Sequence, residues 1–304
     1  MNMKRFLHTA LPSLLALWAG ALLVVSCEWG KEVILERQLV LEGWIDSGGH
    51  PMVLLSEALP LTDGKVTGED ILDGVAKWAK VTVSDGEEEV VLTGRTDPNY
   101  FPPYVFTTSK IKGVPGKTYT LRAEYKGKVA TAATTIPEPQ PLEKIYTKSI
   151  SDTSWTIVCG FTAPPDKGHY YKFMTMVEGR DSRYHGTALG AVSDEAFDGY
   201  TEVHLFSTRR IFSWPYLPDI HPGDRVWVKF CTIDKVAYQF WENFEVNVAA
   251  NMESLYEFNS DMSSNVQGAL GYWTGYGVSE YKVKVGPEKA GTQEEGESDP
   301  SDPT

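Results

Sequence analysis

The chain has 304 residues, a formal net charge of −13 and 12% aromatic side chains, with 27 Gly and 18 Pro. A surface of that sign repels nucleic acid and anionic lipid headgroups, so it excludes a nucleic-acid partner and any membrane attachment through a basic patch. Val-, Thr- and Tyr-rich runs between turn clusters, with almost no helical periodicity, predict an all-β architecture, and the length suggests two domains at about 100–200 residues each.

The first element is a leader. Lys4 and Arg5 precede an apolar run over 10–25 that is short for a membrane span but suits a signal peptide over 1–26. Its end, Val24-Val25-Ser26-Cys27, resembles the lipobox of bacterial lipoproteins, in which the cysteine is lipidated and becomes the mature N-terminus. Cys27 is therefore expected to anchor the chain in a membrane, each buried CH₂ contributing about 0.8 kcal/mol. Residues 27–36 read as a polar tether.

From Arg37 to Ile45 the chain alternates as a strand, with Leu39, Leu41 and Gly43 on one face and Val40, Glu42 and Trp44 on the other. Asp46-Ser47-Gly48-Gly49 turns it into a partner strand over 51–56. A long polar connection to Leu72 follows, then a hairpin around Ser84-Asp85-Gly86 and further strands at 104–111, 117–125 and 129–135. Short strands at this spacing predict a sandwich over 37–136, immunoglobulin- or prealbumin-like. Pro137, Pro139 and Pro141 then interrupt the pattern, so 137–141 is expected to be a stiff linker.

A second β-rich domain is expected over 142–286, with strands at 142–148, 155–161, 169–177, 201–206, 225–233 and 278–285. Long irregular stretches are expected at 178–199 and 207–223. One helix, capped by Asp234, carries Val236, Ala237, Phe240, Trp241 and Phe244 as an apolar stripe that would pack across a sheet. The tail 287–304, acidic and without aromatics, reads as disordered.

Four of these features occur in an order that points further. The lipobox, Leu39-Val40-Leu41-Glu42-Gly43-Trp44-Ile45, Gly116-Lys117-Thr118-Tyr119-Thr120-Leu121 with the Ile136-Pro137 exit, and Ser264-Asn265-Val266-Gln267-Gly268-Ala269-Leu270-Gly271 together resemble a family of Bacteroidota outer-membrane lipoproteins. That family is catalogued as a domain of unknown function with an immunoglobulin-like N-terminal half, and the resemblance covers nearly all of the chain after Cys27. It implies an envelope lipoprotein, often encoded beside a TonB-dependent transporter and accessory to nutrient capture. It brings no catalytic residues to carry over. Ala269 departs from the pattern, standing where members often have Gly.

The residues carry no strong chemical motif. The six His have no metal-ligand spacing, and there is no nucleophile elbow, phosphate loop or calcium loop, so neither metal nor cofactor is expected. The function expected is non-enzymatic, with a glycan or peptide as ligand. A structural or adhesive surface protein and a hydrolase using a carboxylate pair are the rivals. Candidate contacts lie in Pro-flanked loops, Tyr100, Phe101 and Tyr104 in the first half and Trp214 and Tyr216 in the second. Tyr272 and Trp273 form either an aromatic platform for a sugar ring or peptide, or an anchor that pins the last strand. Cys159 and Cys231 are either a disulfide or two small buried hydrophobes; their strand parities place them on different faces.

Overall fold

The computed structural model describes residues 37–58, 68–151, 155–205, 220–250 and 264–286. The expected signal peptide, Cys27 and its tether, Trp214, Tyr216 and the acidic tail lie outside them.

The first half contributes β1 (Leu39–Asp46), β2 (Met52–Glu57), a short helix α1 (Gly68–Asp73), β3 (Lys80–Ser84), β4 (Glu89–Val91), β5 (Thr93–Thr96), β6 (Tyr104–Thr107), β7 (Thr118–Tyr125) and β8 (Lys128–Thr135). The second contributes β9 (Lys144–Ser149), β10 (Trp155–Thr162), β11 (Tyr170–Val177), β12 (His185–Ser193), β13 (Tyr200–Leu205), β14 (Arg225–Ile233), helix α2 (Lys235–Ala250) and β15 (Ala269–Lys284). The architecture is all-β, in sandwiches, with one long helix.

Three sheets share this work. The largest has eight strands in the order β12-β11-β14-β15-β1-β2-β6-β5; the others are β13-β10-β9 and β4-β3-β7-β8. The four-stranded sheet covers one end of the large sheet, where Leu39, Leu41, Ile45, Val53 and Leu55 meet Val81, Val83, Tyr119 and Leu121 in one buried core. The three-stranded sheet covers the other end, where Ile157, Cys159 and Phe161 meet Tyr171, Phe173, Val228 and Phe230. Alternate residues of each strand point inward, and those apolar positions fix which face is covered.

The strand that joins the two cores is β15. Its first eight residues pair in parallel with β1, from Leu39 opposite Ala269 to Asp46 opposite Tyr276. From Gly277 onward it pairs antiparallel with β14. Residues up to Tyr276, placed by sequence in the second half, thus lie in the sheet of the first. The sequence expectation began this strand at Val278. The glycines ahead of it serve close backbone approach: a Cβ on Gly275 would lie 2.8 Å from Ile136, and one on Gly277 2.3 Å from the Pro137 carbonyl. The Pro-rich linker crosses the strand at these two positions.

The Ser264-Asn265 motif has a physical role here. Along residues 271–275 one edge of β15 faces β1 and the other has no strand partner among the described residues. Side chains stand in for the missing strand: Ser264 Oγ donates to the Gly271 carbonyl (2.7 Å), Asn265 bonds both the N–H and the carbonyl of Trp273 (2.9 and 2.7 Å), and Thr134 Oγ1 accepts from Gly275 N–H (2.9 Å). Unpaired backbone groups at a buried edge each carry a desolvation cost, and these contacts remove it.

Two further departures have local causes. β12 lies within a stretch expected to be irregular; its Gly186, Ala188, Gly190 and Ala191 carry little strand propensity, and pairing with β11, across a bulge, supplies the order. The disulfide is corrected as well. Cys159 and Cys231 are free thiols, Cys159 in the core of the second sandwich and Cys231 on the opposite face of the large sheet. Burial raises both thiols, Cys159 to about 12, so both behave as small apolar side chains.

Candidate functional site

The uncovered face of the large sheet, where the two sandwiches meet, collects the unusual residues. Alternation on β1 turns Glu42, Trp44 and Asp46 to this side, and the parallel register sets Tyr272, Thr274 and Tyr276 beside them. Helix α2 packs over part of it. Asp234 Oδ1 caps the helix by accepting from Ala237 N–H (2.7 Å), and Phe240 and Trp241 come down on Tyr272 at ring distances of 4.2 and 5.5 Å. Trp241 Nε1 donates to the Tyr276 hydroxyl (3.3 Å), and Lys172 Nζ stands 3.7 Å from the Trp241 ring centre.

Glu42 is the centre of interest. Its side chain is exposed, yet enough protein lies around it to desolvate the carboxyl. The Tyr272 hydroxyl donates to its Oε1 (3.0 Å), and no described residue donates to Oε2. Desolvation lifts the carboxyl above the usual carboxylate range; the Tyr272 hydrogen bond and the charge of Arg183 pull against that rise without cancelling it. Burial and the Glu42 charge together keep Tyr272 well above the ordinary tyrosine value.

The surroundings come from both halves. Trp44 and Tyr100 are half-buried, with ring centres 5.9 Å apart and planes inclined at 40°. Arg183, from the second half, holds its Cζ 5.1 Å from the centre of the Tyr100 ring, and donates to no described residue. Next to this cluster an ion pair crosses the seam. Lys229 Nζ lies 2.5 Å from Asp46 Oδ2 and 3.8 Å from Glu280, with the Tyr184 ring 4.4 Å away. Burial alone would lower the lysine's affinity for its proton, but the carboxylates reverse the balance and raise it. Asp46 Oδ1 is buried and has no partner among the described residues.

The residues singled out by sequence are thus divided. Tyr100 and Tyr272 are in the site. Phe101 is exposed in the neighbouring loop, and Tyr104 folds back, its ring 5.4 Å from Phe106 and its hydroxyl donating to the Lys77 carbonyl (3.3 Å). Of the two readings of Trp273 the anchor holds and the platform does not: it is fully buried in the first core and its Nε1 donates to the Tyr119 carbonyl (3.0 Å). Sequence reasoning missed Glu42, Arg183, Lys229 and Trp241. The parity of β1 already set Glu42 beside Trp44 on the face opposite Leu41; what it lacked was the neighbouring strand.

A carboxylate held partly desolvated costs stability that a neutral isostere recovers. Glu42→Gln is expected to raise the melting temperature at pH 7 by about 1–3 °C, since solvent access keeps the gain under about 1 kcal/mol. The folded carboxyl titrates above its unfolded value, so the gain exists above that raised value and fades as the pH falls through it and both chains become neutral. Melting curves of both proteins from pH 4 to 8 check the sign; a loss of stability at pH 7 would mark Glu42 as a structural carboxylate.

Comparison with known proteins adds a family and little else. Three chicken proteins with solved structures are similar over part of their length: a two-domain fibronectin type-III segment of tenascin (14% identity, 66% of this chain and 92% of that one, TM-score 0.21), the FN1-FN3 domains of CNTN1 (12%, 64% and 60%, 0.22), and the interferon gamma receptor alpha chain (8%, 64% and 88%, 0.20). No inference is taken from superpositions at these scores. No curated protein sequence matches. The family model described as "Domain of unknown function (DUF4249)" matches residues 31–282, a span that takes in both sandwiches, the shared strand and every residue of the site, and the chain belongs to that family.

Proposed function

We propose that this chain is a lipid-anchored protein of the cell envelope that binds a ligand without transforming it and assists a TonB-dependent outer-membrane transporter. The observation that carries the binding role is the cluster at Glu42, where a carboxylate, an arginine and two inclined aromatic rings come together at the junction of two sandwiches. Junctions of this kind are favoured places for ligand sites. Anchoring is supported by the Val24-Val25-Ser26-Cys27 sequence behind a basic, then apolar leader. The transporter partnership is supported by the resemblance of the motifs described above.

The chemistry of the site favours binding over hydrolysis. A glycoside hydrolase needs a second carboxyl about 5–10 Å from the first, across the scissile bond. The other acids on this face of β1 and β15 are Asp46 and Glu280, and both are engaged by Lys229.

The reading as a structural or adhesive surface protein has one observation in its favour. Trp78 is 91% exposed and Phe101 55% exposed, and the Tyr104 hydrogen bond to Lys77 sets their two loops side by side. An aromatic surface of this kind suits contact with another protein. The deciding experiment is a pull-down of the tagged, natively lipidated chain from its own outer membrane, with Cys27→Ala expected to release it from the membrane. Co-purification of a TonB-dependent barrel is the expected result. Recovery of the lipidated chain alone, still protease-accessible on whole cells, overturns the partnership in favour of adhesion.

A further inference from the structure

We propose that the cluster at Glu42 takes a neutral saccharide ring, an inference that rests on the binding role proposed above and assigns it a ligand class. The groups of the site that keep solvent access are Glu42, which is exposed, and Arg183, Trp44 and Tyr100, which are half-buried. Glu42 Oε2 has no donor among the described residues, and no N–H of Arg183 donates to one. One acceptor and one fork of donors are therefore unoccupied.

Their opposite signs disfavour a guest that carries a single charge. An ammonium group drawn to Glu42 would stand against the Arg183 guanidinium, and a carboxylate or phosphate drawn to Arg183 would stand against Glu42. A hydroxyl-bearing neutral ring meets neither repulsion: one hydroxyl donates to the carboxylate while another oxygen accepts from the guanidinium. Charged hydrogen-bond partners of this kind are the stronger ones, and they are placed where water has been partly excluded.

The aromatic pair completes the fit. Rings 5.9 Å apart and inclined at 40° cannot sandwich a flat guest between parallel faces. Both rings are half-buried, so the part of the pair that meets solvent can take the apolar C–H face of a pyranose. Tyr272 is held from behind by Phe240 and Trp241, so its hydroxyl fixes Glu42 Oε1 and the carboxylate presents Oε2 in one orientation before any ligand arrives.

The test uses the full chain, solubilised in detergent. Neutral oligosaccharides on a glycan array identify a binder, whose affinity is then measured by tryptophan fluorescence and calorimetry against tetramethylammonium chloride and sodium acetate as charged probes. The expected result is binding of a neutral saccharide that falls at least about tenfold in Glu42→Gln and in Tyr100→Ala, with neither charged probe competing. Binding of no saccharide, saccharide binding indifferent to both variants, or Glu42-dependent binding of a charged probe overturns the proposal. The melting curves of Glu42→Gln separate this from failure of the site itself. A stabilised variant with no saccharide bound leaves a ligand site of another class, whereas a destabilised variant in a protein that binds nothing removes the site.

Discussion

Gly271→Ala is expected to destabilise the protein by at least about 3 kcal/mol, enough to lower the melting temperature by about 6–12 °C or to abolish folding. Gly271 has φ +113°, a conformation that costs a side-chain-bearing residue roughly 1–2 kcal/mol by itself. The larger part is steric. A Cβ there would lie 1.8 Å from the carbonyl oxygen of Leu41, its register partner on β1. Neither atom belongs to a flexible side chain, so the two strands must separate where Glu42 is set beside Tyr272. Gly286→Ala is the control, because Gly286 also has positive φ but a Cβ there meets nothing within 4 Å. Equilibrium unfolding of both variants checks this: equal losses would place the whole effect in backbone conformation and none in the seam.

Lys229→Met is expected to cost about 3 kcal/mol, because it leaves Asp46 buried and charged without its partner. Asp46 already has one oxygen with no partner among the described residues, so the deletion leaves both oxygens unanswered. Asp46→Asn combined with Lys229→Met should recover most of the loss, and the coupling read from the double-mutant cycle is the measure of the pair. The pH dependence has a definite sign. Lys229 keeps its proton more tightly in the folded chain, so its contribution persists below the ordinary lysine value of 10.5 and is lost only as the pH rises through the raised one. Near-additive single and double variants would show that the two charges are separately solvated.

Both substitutions act where sequence reading was least informative. Strand alternation identified the inward residues of β1, β10 and β14, because each has one apolar face and the period of two is visible in any such run. The helix cap at Asp234 was equally plain. The pairing of β1 with β15 was hidden, since it joins residues more than two hundred positions apart and the glycines of its second strand break up the alternation. The site depends on that pairing. Glu42 and Tyr272 each had a legible parity, but only their shared register makes them a bonded pair, and Arg183 reaches Tyr100 from a stretch with no strand signal. At Trp273 the sequence left two readings, a display or an anchor, and the second holds: the glycines let the backbones close and the ring fills the core.

The parallel run of β1 and β15 also has a mechanical side. Parallel neighbours place their starts at the same end, so a pull on the backbone ahead of Leu39, resisted beyond Lys284, slides one strand along the other. All eight register pairs then bear the load in shear together, whereas a hairpin pulled at its open end unzips one pair at a time. Tension on the backbone ahead of Leu39 would enter the fold through this clamp, and the Glu42–Tyr272 contact lies within the loaded pairs. Such a joint is stiff along its axis until it yields as a unit, which lets the molecule carry a tug from outside while the site holds its shape.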